Sequence, residues 1–121
     1  MSIPKFRDPS LIASGWFSDL HGPYGKVPVQ FVGSLVSGEY VYFRARGEEV
    51  SLEVYPSEAD FEADLNLIAR YSEKVERHDD LGAGLMDNET CVGYIKEWVS
   101  TYLTHKRQAE EVSRQVESYI Q

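Results

Sequence analysis

The sequence predicts an α+β fold: a three-stranded antiparallel β-meander, two C-terminal helices packed on one of its faces, and an N-terminal arm. Apolar residues alternate at period two in the middle of the chain and recur at helical spacing after it. The 121 residues, 42% of them hydrophobic, are enough for a single domain with one core. The predicted boundaries are 1–26 for the arm, 27–55 for the meander, and 57–78 and 88–120 for the two helices.

The arm is predicted to hold one short helix. Asp8 is placed to cap it, with Pro9 at its first position, and Gly15 is placed to end it. Trp16, Phe17 and Leu20 follow and are too apolar to be left in water, so the arm is expected to lie against the core. The Gly and Pro content of residues 21–25 is typical of a turn.

The register of the meander follows from its apolar pattern. A two-residue turn at 47–48 sets Phe43 opposite Leu52, and a three-residue turn at 36–38 sets Phe31 opposite Phe43. A two-residue turn in the first hairpin would instead set polar side chains opposite apolar ones. The residues predicted to point inward are Val29, Phe31, Val41, Phe43, Val50, Leu52 and Val54.

Helical spacing begins after the meander. Ser57 is the expected N-cap of the first helix, and Asp60 completes an approximate capping box. Asp87 or Asn88 caps the last helix, which either protrudes and pairs with a partner helix or kinks near Thr104 and folds back. The stripe of the first helix, expected to cover the apolar face of the sheet, is Phe61, Leu65, Ile68, Ser72 and Val75.

Composition limits the classes of partner and the cell compartment. Twenty acidic residues against 12 basic ones give a net charge of -8, which disfavours direct binding of nucleic acid through a general basic surface. No apolar run is long enough for a membrane span, and the N-terminus lacks the apolar region of a signal peptide. The single Cys91 excludes an internal disulfide. A cytoplasmic location is expected, the host cytoplasm if the gene is viral.

Familiar catalytic and metal-binding motifs are absent from the sequence. Cys91 lies on the apolar stripe of the last helix, where a cysteine acts as a small hydrophobic residue. The run at 78–80, His-Asp-Asp, reads as a solvated helix end, so no metal site is predicted. The glycines at 82 and 84 follow a helix, whereas phosphate-binding loops follow a strand. A non-enzymatic protein without a cofactor is therefore the favoured prediction.

The outward face of the meander mixes tyrosines with arginines, residue types enriched at binding hot spots. One interpretation is a protein-binding face; another is that a further segment packs over the tyrosines. Stacking of single-stranded nucleic acid is chemically natural here, but the acidic total opposes it. The predicted partner-binding residues of this face are Tyr40, Tyr42, Arg44, Arg46, Glu53 and Tyr55.

Two further surfaces are candidates for binding. The acidic start of the first helix is predicted to dock on a basic partner, such as a nucleic-acid-binding protein. The narrow apolar stripe of the last helix is predicted to form a homodimer. The acidic residues are Glu58, Asp60, Glu62 and Asp64, and the oligomerisation residues are Ala109, Val112, Val116 and Ile120.

The strand and turn at 42–47, Tyr-Phe-Arg-Ala-Arg-Gly, resembles those of small uncharacterised bacterial and phage proteins. The resemblance covers residues 29–55 and implies a mobile-element origin, with no activity or site residue attached.

The function ranked first is a non-enzymatic acidic protein-binding module, an inhibitor or adaptor of the anti-defence or immunity type. One alternative is a small enzyme or anionic-ligand binder whose pocket lies between the arm and the sheet and uses His21, Tyr42, Arg44 and Arg46. The other alternative is a structural oligomer built on the last helix.

Overall fold

A computed structural model of the chain describes residues 6–26, 28–75 and 86–120. Within these residues, five strands form one antiparallel sheet in the order β1-β2-β3-β4-β5, and each strand pairs with its neighbours in the chain. The elements are α1 (Pro9–Ala13), β1 (Phe17–Tyr24), β2 (Val29–Leu35), β3 (Tyr40–Arg46), β4 (Glu49–Tyr55), α2 (Glu58–Glu62), β5 (Ala69–Lys74) and α3 (Asn88–Ile120). The α+β class is confirmed.

The predicted register of the central strands is confirmed. Phe43 lies opposite both Phe31 and Leu52 in the sheet. Gly38 and Gly47, in the two turns, have φ values of 107° and 63°, which a residue with a Cβ atom rarely adopts. The inward side chains are buried together with Leu11 of α1 and the first half of α3. The apolar pattern determines this register because a shift of one residue would turn every apolar side chain outward.

The prediction of a three-stranded meander with two C-terminal helices is wrong, because the predicted helix 57–78 is not one element. Ser57 caps α2 as predicted, accepting a hydrogen bond from the Asp60 amide at 3.2 Å, but α2 ends at Glu62. Asp64 then adopts a left-handed conformation with φ 55°. Its amide donates to the Phe61 carbonyl at 3.1 Å, and the next amide donates to the Asp60 carbonyl at 2.9 Å. This is a Schellman ending, which satisfies the last helical carbonyls and turns the chain away.

The chain after this ending forms an edge strand where a helix was predicted. β5 pairs with β4 and sets Tyr71 opposite Leu52 and Ala69 opposite Val54. The residues that were expected to form one helical stripe therefore lie in different places. Phe61 packs on the outer face of the sheet, opposite the core, whereas Leu65 and Ile68 are exposed.

The N-terminal arm is also more ordered than predicted. Asp8 caps α1 by accepting the Leu11 amide at 3.0 Å, and Gly15 follows the helix end with φ 74°, both as predicted. Residues 17–24, in contrast, form β1, including most of the predicted turn. The pairing of β1 with β2 has irregularities between 17 and 19 and between 21 and 24. These irregularities interrupt the period-two alternation by which a strand is recognised.

The last helix has the predicted bounds and is continuous. Its 33 residues correspond to a length of about 50 Å. Cys91, Ile95 and Val99 lie in the core, whereas every residue from 107 to 118 is exposed. Of the two predicted arrangements, the structure therefore has the protruding one and no kink at Thr104.

Glu39 fastens the middle of α3 to the sheet. Its carboxylate is buried and accepts hydrogen bonds from the Tyr102 hydroxyl at 2.5 Å, from the Lys106 ammonium at 3.0 Å and from the Ser37 hydroxyl. Burial alone would raise the pKa of Glu39, but these three hydrogen bonds outweigh it and lower the pKa to about 2. The charged form of Glu39 therefore stabilises the fold.

Asp64→Gly is expected to raise the free energy of unfolding by about 0.5 to 1 kcal/mol, because glycine adopts the left-handed conformation without a steric cost. Ala63→Gly is the matched control, since Ala63 is right-handed with φ -84°. It should lower the free energy of unfolding by up to about 1 kcal/mol. Urea denaturation measures whether each substitution raises or lowers the free energy of unfolding. A loss of stability in Asp64→Gly would contradict the assignment of a Schellman ending here.

Candidate functional site

The outer face of the sheet is the face opposite α3, and α2 covers part of it. The ring of Phe61 lies 5.0 Å from the rings of Tyr40 and Tyr42 and 5.4 Å from that of Tyr55, centroid to centroid. Burial, with a smaller contribution from the charge of Glu58, raises the pKa of Tyr40 to about 12. These neutral rings, in tilted and edge-to-face contact, form a second small core, which we call the tyrosine cluster. The interpretation that another segment packs over the tyrosines is confirmed for this half of the face.

The other half of the outer face is open. A depression of about 320 Å³ lies across β3, β4 and β5, and we call it the arginine pocket. Its basic residues are Arg44, Arg46 and Arg70. It is also lined by Tyr42, Glu49, Ser51 and Glu53. The antiparallel register brings these side chains together, because it sets Arg44 opposite Ser51 and Arg46 opposite Glu49.

The three arginines of the pocket are not equivalent. Arg70 donates to the Glu49 carboxylate at 2.6 Å and lies 3.8 Å from that of Glu53. Among the described residues, neither Arg44 nor Arg46 has a carboxylate partner within ion-pair distance. The Nε of Arg44 is buried and has no hydrogen-bond partner in the same set, and Arg46 is exposed. Within the described part of the chain, two cationic side chains of this pocket thus have no carboxylate partner.

The sequence identified part of this pocket. Tyr42, Arg44, Arg46 and Glu53 were predicted to lie together, and the structure places all four in its wall. Arg70 was missed because it was assigned to a helix and reaches the pocket only through the pairing of β5 with β4. The signal that could have revealed it is the pair Asp64 and Asn66, residue types that tolerate a left-handed conformation, followed by the alternation of Ala69 and Tyr71 with polar residues.

Of the four residues predicted to line a pocket between the arm and the sheet, Tyr42, Arg44 and Arg46 line the arginine pocket and His21 does not. On β1, the Nε2 of His21 lies 3.2 Å from the carboxylate of Asp19, which also lies 3.3 Å from Arg7. Among the residues that the structure describes, no three potential ligands cluster around a metal site.

The thiol of Cys91 is buried as predicted. Burial, with a smaller contribution from the charge of Asp87, raises its pKa to about 12, so the thiol is protonated at neutral pH. The runs at 78–80 and 82–84 lie outside the described residues, and the hypotheses that concern them are unaffected.

The acidic residues around α2 differ in their contacts. Asp60 accepts hydrogen bonds from the Asn66 amide at 2.8 Å and the Ser57 hydroxyl at 2.7 Å, which lower its pKa. Asp60 therefore has a structural role in the helix and its ending. The side chains that remain exposed are Glu58, Glu62 and Asp64.

Three large apolar side chains follow the acidic residues and are also exposed. Leu65, Leu67 and Ile68 have 57%, 47% and 48% of their surface accessible. The stretch is held by hydrogen bonds from the Leu65 amide to the Asp60 carbonyl at 2.9 Å and from the Ile68 amide to the Val54 carbonyl at 2.8 Å. We call residues 58–68 the acidic–apolar segment.

The residues predicted to mediate oligomerisation lie on the protruding half of α3. Ala109, Val112 and Val116 are exposed, and Ile120 is the last residue of the helix, with its side chain outside the described part. Homodimer formation through this stripe stays a prediction.

Comparison of the chain with protein-family models, with curated proteins and with solved structures gives no match. Within the described residues, no helix is both long enough and apolar enough to cross a membrane.

Proposed function

We propose that this chain is a non-enzymatic protein-binding module that docks on a basic partner through the acidic–apolar segment. The observation that carries the proposal is the exposure of Leu65, Leu67 and Ile68 directly after the acidic residues of α2. Clustered exposure of large apolar side chains is uncommon on a protein that acts alone, and it is typical of an interaction site.

The composition of the segment resembles that of a protein interface. Three apolar side chains supply area to be buried, and the exposed carboxylates of Glu58, Glu62 and Asp64 supply a charged rim. Burial of the apolar side chains would provide most of the affinity, whereas the rim would select a partner of opposite charge and accelerate the encounter.

The partner is proposed to be basic because both the rim and the whole chain are acidic. The net charge of -8 attracts a basic surface over about one Debye length, roughly 10 Å at 0.1 M salt. A nucleic-acid-binding protein presents such a surface. An acidic inhibitor or adaptor that covers it, in the manner of phage anti-defence or immunity proteins, is the most concrete form of this proposal.

The proposal is tested by binding of the full chain to purified basic nucleic-acid-binding proteins from the same cell, measured by biolayer interferometry. Glu58→Lys with Glu62→Lys, and separately Leu65→Ser with Leu67→Ser, should each weaken binding by about ten-fold or more. Higher salt should weaken the complex of the wild type and the serine variant more than that of the lysine variant.

The matched control is Glu110→Lys with Glu117→Lys, which makes the same change of net charge on the exposed half of α3. At high salt, this control variant should bind the basic partner with an affinity close to that of the wild type. Equal affinities for the wild type and the α2 lysine variant would disprove docking through this segment.

A further inference from the structure

We infer that the arginine pocket binds a small oxyanion, the phosphate or carboxylate group of a soluble ligand, between Arg44 and Arg46. This site lies on the outer face of the sheet and shares no residue with the acidic–apolar segment. The inference therefore does not rest on the docking function proposed above.

The first argument is the state of the two arginines. Glu49 and Glu53 line the pocket but are both directed to Arg70, at 2.6 and 3.8 Å. Arg44 and Arg46 remain without a carboxylate partner among the described residues, and the buried Nε–H of Arg44 is unsatisfied there. No carboxylate of the described residues therefore occupies the guanidinium groups of Arg44 and Arg46, which line the depression where a ligand oxygen can accept hydrogen bonds from them.

The second argument is geometry. Arg44 and Arg46 are two positions apart on β3 and point to the same face, which separates their Cα atoms by about 6.5 to 7 Å. Ser51 lies directly opposite Arg44 and adds a hydroxyl donor. Two guanidinium groups and a hydroxyl around one depression match the several oxygens of a phosphate or carboxylate, which guanidinium groups bind through paired hydrogen bonds.

The third argument concerns size and charge. The depression of about 320 Å³ is at the lower end of the range for small-molecule sites. The lining residues carry three positive and two negative charges, a local excess of one positive charge on a chain whose net charge is -8. A small anion responds mainly to charges within about 10 Å. An extended polyanion such as a nucleic acid would also meet the acidic remainder of the surface, so the pocket favours a small ligand.

The test uses NMR of the full chain. The Nε–Hε resonances of the arginines are followed while inorganic phosphate, or separately acetate, is added at an ionic strength held constant with sodium chloride. We expect a saturable shift of the Arg44 and Arg46 resonances. A shift with phosphate alone identifies a phosphoryl ligand, and a shift with acetate as well identifies a site that also accepts carboxylates.

Arg44→Gln and Arg46→Gln should each weaken the apparent affinity by about ten-fold or more. Because Arg46 is exposed, Arg46→Gln is expected to fold. It therefore still tests the site if Arg44→Gln does not fold. The matched control is Arg7→Gln, since Arg7 is exposed and pairs with Asp19 away from the pocket, and it should titrate like the wild type. Absence of a saturable shift with both anions, or wild-type titration of both pocket variants, would overturn the proposal.

Discussion

Replacement of Glu39 by glutamine is expected to lower the free energy of unfolding at neutral pH by on the order of 3 kcal/mol. Glutamine keeps the shape of the side chain but has one acceptor oxygen, whereas Glu39 accepts from Ser37 through Oε1 and from Tyr102 and Lys106 through Oε2. The substitution also removes the negative charge that faces Lys106 at 3.0 Å and that strengthens the 2.5 Å hydrogen bond from Tyr102. The buried position leaves little water to compensate for this loss.

The lowered pKa of Glu39 determines how this contribution to stability depends on pH. The pKa of Glu39 is lowered from 4.5 to about 2 in the folded chain. A lowered pKa means that the folded state binds the proton less readily than the unfolded state, so the contribution is present above pH 4.5 and is lost as the pH falls toward about 2. The difference in stability between the wild type and Glu39→Gln should therefore be constant above about pH 5 and shrink below it.

Urea denaturation at a series of pH values measures this difference. Glu117→Gln, at an exposed position of α3, makes the same chemical change and should follow the wild-type curve within about 0.5 kcal/mol. If the curves of the wild type and Glu39→Gln stay parallel from neutral to acidic pH, the ionised Glu39 does not stabilise the fold.

Replacement of Ile95 by alanine is expected to lower the free energy of unfolding by about 2 to 5 kcal/mol. Ile95 is completely buried between α3 and the sheet, where its truncation would leave a cavity. The neighbouring core side chains belong to a close-packed sheet and helix and can relax only in part.

Val112→Ala is the matched control in the same helix. The sequence places both residues on one apolar stripe, but Val112 is 59% exposed. Its truncation should change stability by less than about 0.5 kcal/mol. Chemical denaturation of both variants separates the core half of α3 from the protruding half. A large loss in Val112→Ala at low protein concentration would show that the second half of α3 also packs against the domain.

The local parts of the fold could be predicted from the sequence. The registers that pair Phe31, Phe43 and Leu52 follow from a strict alternation and from turns with glycine at fixed positions. The caps by Asp8 and Ser57 follow from side-chain chemistry that acts within four residues. In each of these places the deciding interactions join residues close in the chain.

The edges of the sheet could not be predicted in the same way. At one edge, the irregular pairing of residues 17–24 hides the alternation of β1. At the other, residues 69–74 carry spacing that also suits a helix, and the left-handed Asp64 and Asn66 decide between the two. A left-handed conformation costs energy in any residue with a Cβ atom. It is adopted here because the hydrogen bonds of the helix ending and of the pairing with β4 compensate for that cost. These compensating contacts are visible only in the folded chain.

The sequence alone therefore determined the α+β class, the central register, the caps and the placement of Tyr42, Arg44 and Arg46 on one face. Only the tertiary structure decided which half of that face is covered by Phe61 and which half is an open pocket completed by Arg70. It also decided that the apolar stripe of α3 is core up to Tyr102 and exposed beyond residue 106. The physical reason is that periodicity specifies the direction of a side chain within its own element, whereas burial depends on whether another element reaches it.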